Sequence, residues 1–171
     1  MRAIKRETFD KYISAHGKNL TRLCLKLCRE RGEAEDLYQE TWCRVAEKIR
    51  FYDEAKPFEP WLFTVCLNIF KNACNKAKKR PLAFFESDRE MERALNNAAA
   101  PQPFFNEEHD LLHQIVGELE EKHRAAVALH YFGDYSLEQI ANILGIPRGT
   151  VKSRLHKARE IIRRRLEDHD K

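Results

Sequence analysis

The chain has 171 residues, 43% of them hydrophobic and 34% charged, with a formal net charge of +4. That length holds one medium domain or two small ones, and the hydrophobic fraction is enough for real cores. No apolar run is long enough to cross a bilayer, and the opening MRAIKRETFDKY lacks a signal-peptide core, so no membrane insertion and a cytoplasmic location are expected. The small net charge hides an uneven layout. Basic residues crowd Lys71–Arg80 and Arg148–Arg165, while acidic residues crowd Glu30–Asp36 and Glu86–Glu121. Two separated basic blocks suggest two contacts with a polyanion. The five cysteines (Cys24, Cys28, Cys43, Cys66, Cys74) are expected to be free, buried thiols acting as small hydrophobes. Cys24 and Cys28 stand one helical turn apart, but no second Cys or His pair lies nearby at zinc spacing, so neither metal nor cofactor is expected.

In chain order, Thr8–Arg31 has a broken helical stripe of Phe9, Tyr12, Ile13, Leu20, Leu23, Leu27 and Cys28, interrupted by Gly17 and ended by Gly32. Ala34–Phe51 is predicted as a strongly amphipathic helix. Leu37, Thr41, Val45 and Ile49 face the core, with Trp42 and Ala46 beside them. Asp36, Gln39, Glu40 and Arg44 are left on or near the other face, with Glu40 and Arg44 spaced for an ion pair. That face is either solvated or a protein-docking surface, and the helix alone does not decide. Pro57 and Pro60 mark a break before the helix Trp61–Lys79, whose apolar side is Leu62, Val65, Cys66, Ile69 and Ala73. Asn68, Lys71, Asn72 and Asn75 recur at i, i+3, i+4 and i+7 and form one polar stripe. Amide side chains can pair with base edges and lysines can hold phosphates; a merely hydrophilic outer face is the alternative.

Pro81–Asn106 has little periodicity and is read as a linker, with a short helix possible over Asp88–Leu95 and with the pairs Phe84-Phe85 and Phe104-Phe105 available to dock on a neighbour. Glu107–Tyr131 resumes helical spacing as two helices with a bend around Gly117 and Glu120–Lys122; Leu111, Leu112, Ile115, Val116, Leu119, Ala126, Val127, Leu129 and Phe132 are its core candidates. His109 and His113 are spaced for a metal but lack a third ligand in register, and are read as surface histidines.

The most informative stretch is SLEQIANILGIPRGTVKSRLHKAR, Ser136–Arg159. Ser136 and Gln139 can form a capping box. Leu137, Ile140, Ala141 and Leu144 make an apolar face, Gly145 suits a left-handed helix end, and Pro147 presets a new helix start. The second helix carries Val151, Leu155 and Ala158 inward. Arg148, Lys152, Ser153, Arg154, His156, Lys157 and Arg159 are left around the outside. This is the pattern of a helix-turn-helix DNA reader. The tail from Ile161 continues the helix and then frays, with Arg163–Arg165 adding phosphate attraction.

Three segments together resemble the bacterial RNA polymerase sigma factors of the sigma-70 family, extracytoplasmic-function (ECF) type. DLYQETWCRV (Asp36–Val45) resembles the core-binding signature, FEPWLFTVCLNIFKN (Phe58–Asn72) the strand-opening and −10 stretch, and IPRGTVKSRLHKAR (Ile146–Arg159) the recognition helix. Lys157 stands where arginine is usual, and Leu119 is followed by Glu120 where a proline is common. The resemblance implies an all-α fold of two small helical domains: region 2 over 1–80, a flexible linker over 81–106, and region 4 over 107–171. It implies that Asp36, Leu37, Gln39, Glu40 and Arg44 dock on the clamp helices of the polymerase largest subunit. Asn68, Lys71, Asn72 and Asn75 would read the −10 element, with a pocket wall over Asp53–Pro60 and Trp61 either in that wall or in the core. Lys152, Ser153, His156 and Lys157 would face the −35 groove, within a DNA-contacting set that includes Thr150; Arg148, Arg154 and Arg159 would grip phosphates. The linker would thread the polymerase near its RNA exit path. The implied partners are core polymerase (clamp helices and flap), promoter DNA, and an anti-sigma factor wedged between the halves. The absence of an acidic N-terminal extension and of a middle domain agrees with this smallest sigma type.

The alternative is a stand-alone helix-turn-helix regulator, which shares Ser136–Arg159 but gives no reason for DLYQE or the Asn stripe. A nucleic-acid enzyme is disfavoured, because no Gly-rich phosphate loop, metal-spaced carboxylate cluster or nucleophile arrangement is present and no catalytic residue is assigned.

Overall fold

The computed structural model describes residues 6–79 and 107–171, with side chains of the second stretch described from residue 111 onward. The expected linker over 81–106, its Phe pairs, the short helix read over Asp88–Leu95 and the side chain of His109 lie outside the described residues. All regular structure among the described residues is helical. The first half comprises α1 (Arg6–Leu27), α2 (Arg31–Lys48), a 3-10 turn (Ile49–Phe51) and α3 (Phe58–Lys79). The second comprises α4 (Glu107–Glu118), α5 (Glu121–Val127), a π-helical turn (Ala128–Phe132), α6 (Leu137–Leu144) and α7 (Arg148–His169).

The apolar stripes find one another as their spacing predicts. Leu20, Leu27, Val45, Leu62 and Cys66 are fully buried among α1, α2 and α3, and Leu129, Ile140, Val151, Leu155 and Ala158 fill the second half. Each such leucine stabilises the fold by about 1.5–3 kcal/mol relative to an exposed one. The bend between α4 and α5 falls at Leu119-Glu120. α7 runs on to His169 and is tied back to α4 by an Arg165–Glu118 ion pair.

Several expectations need correction. Gly17 does not interrupt α1. It is buried, and a Cβ there would sit 3.0 Å from the Tyr38 hydroxyl, so the glycine admits the close approach of α2. Gly32 lies inside α2 and ends nothing, and Pro60 lies in the first turn of α3, where a missing N–H costs little. Ala46, Ala73 and Phe132 are exposed rather than buried. Phe132 lies under the Lys26 ammonium, 4.4 Å from the ring centroid. Arg44 pairs with Glu47, not Glu40.

All five cysteines are free. Cys24, Cys28 and Cys66 are buried, with 3.9 Å between the Cys24 and Cys66 sulfurs. The hydrogen bond between those two thiols, and then burial, hold the Cys24 thiol protonated well above its usual range; burial pushes Cys28 up to about 12. Cys43 breaks the expectation by lying exposed, since it projects from the outer face of α2. A thiol reagent therefore modifies Cys43 at once, with Cys24, Cys28 and Cys66 following only on unfolding. Native-state labelling counted by mass spectrometry checks this, and rapid reaction of the three buried thiols would contradict it.

The halves pack on one another through a second face of α3. Phe63, Leu67 and Phe70 are buried, and Phe63 meets the Tyr135 ring edge-on at 5.8 Å. Arg124, only 8% exposed, clasps the contact: it donates to the Leu27 carbonyl at the end of α1 (2.6 Å) and to the Leu119 carbonyl after α4 (2.7 Å), 5.5 Å from the Phe70 ring centroid. Arg29 donates to the Gly117 carbonyl (2.8 Å), the Thr64 hydroxyl to the Ile143 carbonyl (3.1 Å), and Lys78 pairs with Glu121 (2.9 Å).

Glu59 is a second hub. It accepts hydrogen bonds from Asn19 (2.8 Å) and from the Tyr135 hydroxyl (2.7 Å), and His16 lies 3.3 Å away. Burial pushes its carboxyl up, but the bonds from Asn19, Tyr135 and His16 outweigh burial and hold it below the ordinary 4.5. A lowered carboxylate contributes stability that is present above its unfolded value and is lost as pH falls through its folded value. Below about pH 4.5 the wild-type protein should therefore lose stability more steeply than Glu59→Gln. Urea midpoints across an acid pH series check this, and parallel curves for the two proteins would contradict it.

Candidate nucleic-acid interface

The helix-turn-helix forms as its sequence dictates. The Ser136 hydroxyl accepts from the Gln139 N–H (3.2 Å), and the Gln139 side chain accepts from the Ser136 N–H (2.9 Å). Gly145 takes a left-handed φ of 65°, where a Cβ would be strained. The Ile146 N–H bonds the Ala141 carbonyl and tucks the turn under α6. Pro147 caps α7, which starts at Arg148.

With Val151, Leu155 and Ala158 buried, Arg148, Lys152, Ser153, His156, Lys157 and Arg159 are exposed on the far side, and Thr150 and Arg154 are half-buried at its border. His156 and Lys157 each approach Glu160, at 3.8 and 3.5 Å. Such exposed pairs are worth about 0.2–1 kcal/mol and yield easily to phosphate. The Ser153 hydroxyl donates to the Thr150 carbonyl (3.0 Å), leaving its oxygen as an acceptor.

In the first half, α2 and α3 line a groove of about 340 Å³. Glu40, Arg44 and Lys48 form one wall, Asn68, Asn72 and Lys76 the other, and Val65 and Ile69 the floor. The two polar faces that the sequence presents separately are thus opposite banks of one groove. Lys71 is exposed and Asn75 half-buried on the same stripe of α3. Asp36 and Gln39 are exposed on α2, whereas Leu37 is 7% exposed and packs in the core beneath them.

Trp61 packs between Tyr52 (5.0 Å) and Phe58 (5.6 Å), which assigns it to an aromatic cluster rather than to an open pocket. The loop before it is braced internally: the Tyr52 hydroxyl donates to the Lys56 carbonyl and Asp53 accepts from the Ala55 N–H. Phe51 went unnoticed in the sequence. At 74% exposure it is the most exposed large hydrophobic side chain described, and the Arg50 guanidinium stands 4.7 Å from its ring centroid. Its only sequence signal is a position past the last core residue of α2. Among the described residues no group of three metal-capable side chains gathers, and no helix is long and apolar enough to cross a membrane.

Comparison with known proteins agrees with this geometry. The Sigma-70 region 2 family matches residues 12–80 and the Sigma-70 region 4 family matches residues 109–162, which makes the chain a sigma-70-type factor of RNA polymerase. It is 31% identical over 173 residues to the ECF RNA polymerase sigma factor SigL of Mycobacterium tuberculosis, covering 97% of this chain and 90% of that one. It is 27% identical to SigW of Bacillus subtilis, covering 95% and 90%. The chain belongs to the ECF RNA polymerase sigma factors; it binds core RNA polymerase and directs promoter-specific initiation. The fold is shared with the sigma factor RpoE in its complex with the anti-sigma factor NepR from Bartonella quintana (TM-score 0.71, 22% identity, 94% of this chain and 98% of that one). It is also shared with CnrH in complex with the cytosolic domain of CnrY (TM-score 0.65, 20% identity, 98% and 92%).

Proposed function

We propose the following division of labour within this sigma factor. Residues 1–80 bind polymerase and the −10 element, 107–171 bind the −35 element, and 81–106 connect them. Asp36, Gln39, Glu40 and Arg44 dock on the polymerase clamp helices. Asn68, Lys71, Asn72 and Asn75 read the −10 element across the shared groove, and the observation that carries this is that one 340 Å³ groove joins the docking wall to the amide wall. A polymerase element on the α2 bank would lie directly beside DNA on the α3 bank. Phe51 supplies a stacking face for an unstacked base, with Arg50 beside it, at about 1–3 kcal/mol per base. Lys152, Ser153, His156 and Lys157 face the −35 major groove, while Arg148, Arg154 and Arg159 grip phosphates and Thr150 lies at the start of that face.

The chain performs no catalytic step: strand opening needs only a site that binds the opened strand better than the duplex. It acts in the cytoplasm, and an anti-sigma factor binds it; in support, RpoE is seen in complex with the anti-sigma factor NepR, and CnrH with the cytosolic domain of CnrY. Among the described residues Arg44 is held by an exposed bond to Glu47 (3.3 Å), so it can turn to a partner at little cost. Glu40→Ala or Arg44→Ala is expected to weaken core-polymerase binding about tenfold while leaving the thermal midpoint in place. Unchanged affinity in both, by surface plasmon resonance, would remove α2 from the docking face.

A further inference from the structure

The π-helical turn between α5 and α6 has no place in the assignment above, yet it reaches the recognition helix. Tyr131, 48% exposed, lies on this turn. Its hydroxyl accepts a hydrogen bond from Nε of Arg159, and the Arg159 guanidinium carbon stands 5.7 Å from the ring centroid. Among the described residues no carboxylate pairs with Arg159. We infer that Tyr131 is a positioning residue for promoter binding, holding Arg159 with the end of its guanidinium open to a backbone phosphate. The inference rests on the assignment of Arg159 to phosphate contact.

The geometry around Tyr131 and Arg159 carries it. A free arginine on a helix surface samples many rotamers, and a phosphate contact must freeze them. Here Tyr131 engages Nε alone, so Nη1 and Nη2 remain as an end-on fork, which is the geometry phosphate oxygens accept. Tyr131 is itself braced: His130 packs edge-on to its ring (4.9 Å, 79°), and His130 Nδ1 lies 3.3 Å from the Tyr135 carbonyl. The turn behind it allows no slack, because a Cβ at Gly133 would lie 2.8 Å from the Tyr135 ring and 2.9 Å from the Leu129 carbonyl. A widened helical turn at this place brings Tyr131 alongside α7, and such turns recur at functional sites.

The test is the salt dependence of binding by the full chain to a short mixed-sequence DNA duplex. The slope of log affinity against log salt counts phosphate contacts, and a purely structural defect lowers the folded fraction without changing that slope. Arg159→Ala is expected to reduce the slope by about 1. Tyr131→Leu is expected to reduce it by a part of that amount, Tyr131→Phe by less, and the double variant Tyr131→Leu with Arg159→Ala to go no lower than Arg159→Ala. A wild-type slope in Tyr131→Leu overturns the proposal. Should that variant fail to fold, a wild-type slope in Tyr131→Phe does the same. A wild-type slope in Arg159→Ala also overturns it, since no phosphate grip is then present to hold. Failure of the polymerase and promoter assignment shows elsewhere, as loss of association with core polymerase.

Discussion

Arg124→Met is expected to lower the stability of the free chain by about 3 kcal/mol, because two buried carbonyls lose charge-assisted donors at once. The Leu27 and Leu119 carbonyls lie at helix C-termini, where the helix offers them no internal partner and where the dipole favours a cation. Met fills most of the volume over Phe70 but donates nothing. Burial pulls the Arg124 pKa down, with the neighbouring Cys74 acting against this, yet a guanidinium still stays charged at neutral pH. Arg124→Lys recovers only part of the loss, since a point charge cannot span two carbonyls as a planar fork does. The urea midpoint should fall at unchanged slope in both variants. Wild-type stability in Arg124→Met would mean that the two halves do not depend on this clasp.

Lys152→Ala is expected to reduce transcription from a −35-dependent promoter by about ten- to a hundredfold, the scale of one lost major-groove contact. Lys152 is exposed near the start of α7, while Val151 and Leu155 beside it anchor the helix in the core. The substitution therefore changes the surface and not the fold. The promoter for the assay is one that the holoenzyme itself selects from a randomised pool. Equal activity of the variant and the wild-type protein on matched and scrambled −35 elements would remove this helix from the readout.

The local chemistry of the helix-turn-helix was legible in full. A capping box, a left-handed glycine and an N-terminal proline act within a few residues, so they do not depend on distant packing. The inward faces of α2 and α3 were legible for the same reason of period, apart from the small Ala46 and Ala73, whose spacing carries little weight beside that of larger side chains. Gly17 was misread because a mid-helix glycine is a breaker only when nothing approaches it, and the approach of Tyr38 belongs to the tertiary fold. Phe63, Leu67 and Phe70 made α3 apolar on two faces, a sign that it packs on both sides, but their partner lies more than fifty residues away. Arg124 reads as one more surface charge in a basic protein, and its burial appears only when α1 and α4 end beside it. Leu37 fell inside a motif that mixes exposed residues with buried ones such as Thr41, Trp42 and Val45, and a motif does not separate contact from support. Tyr131 and Phe51 were invisible because exposure of an aromatic is a property of the folded surface.

The most direct test of the account is co-elution of the purified chain with bacterial core RNA polymerase on a sizing column, with a housekeeping sigma factor as competitor. The account predicts co-elution that the competitor displaces, and loss of it when Glu40 and Arg44 are both replaced by alanine. A chain that stays apart from polymerase while binding duplex DNA tightly by itself would contradict it, and would reduce α2 to a solvated helix.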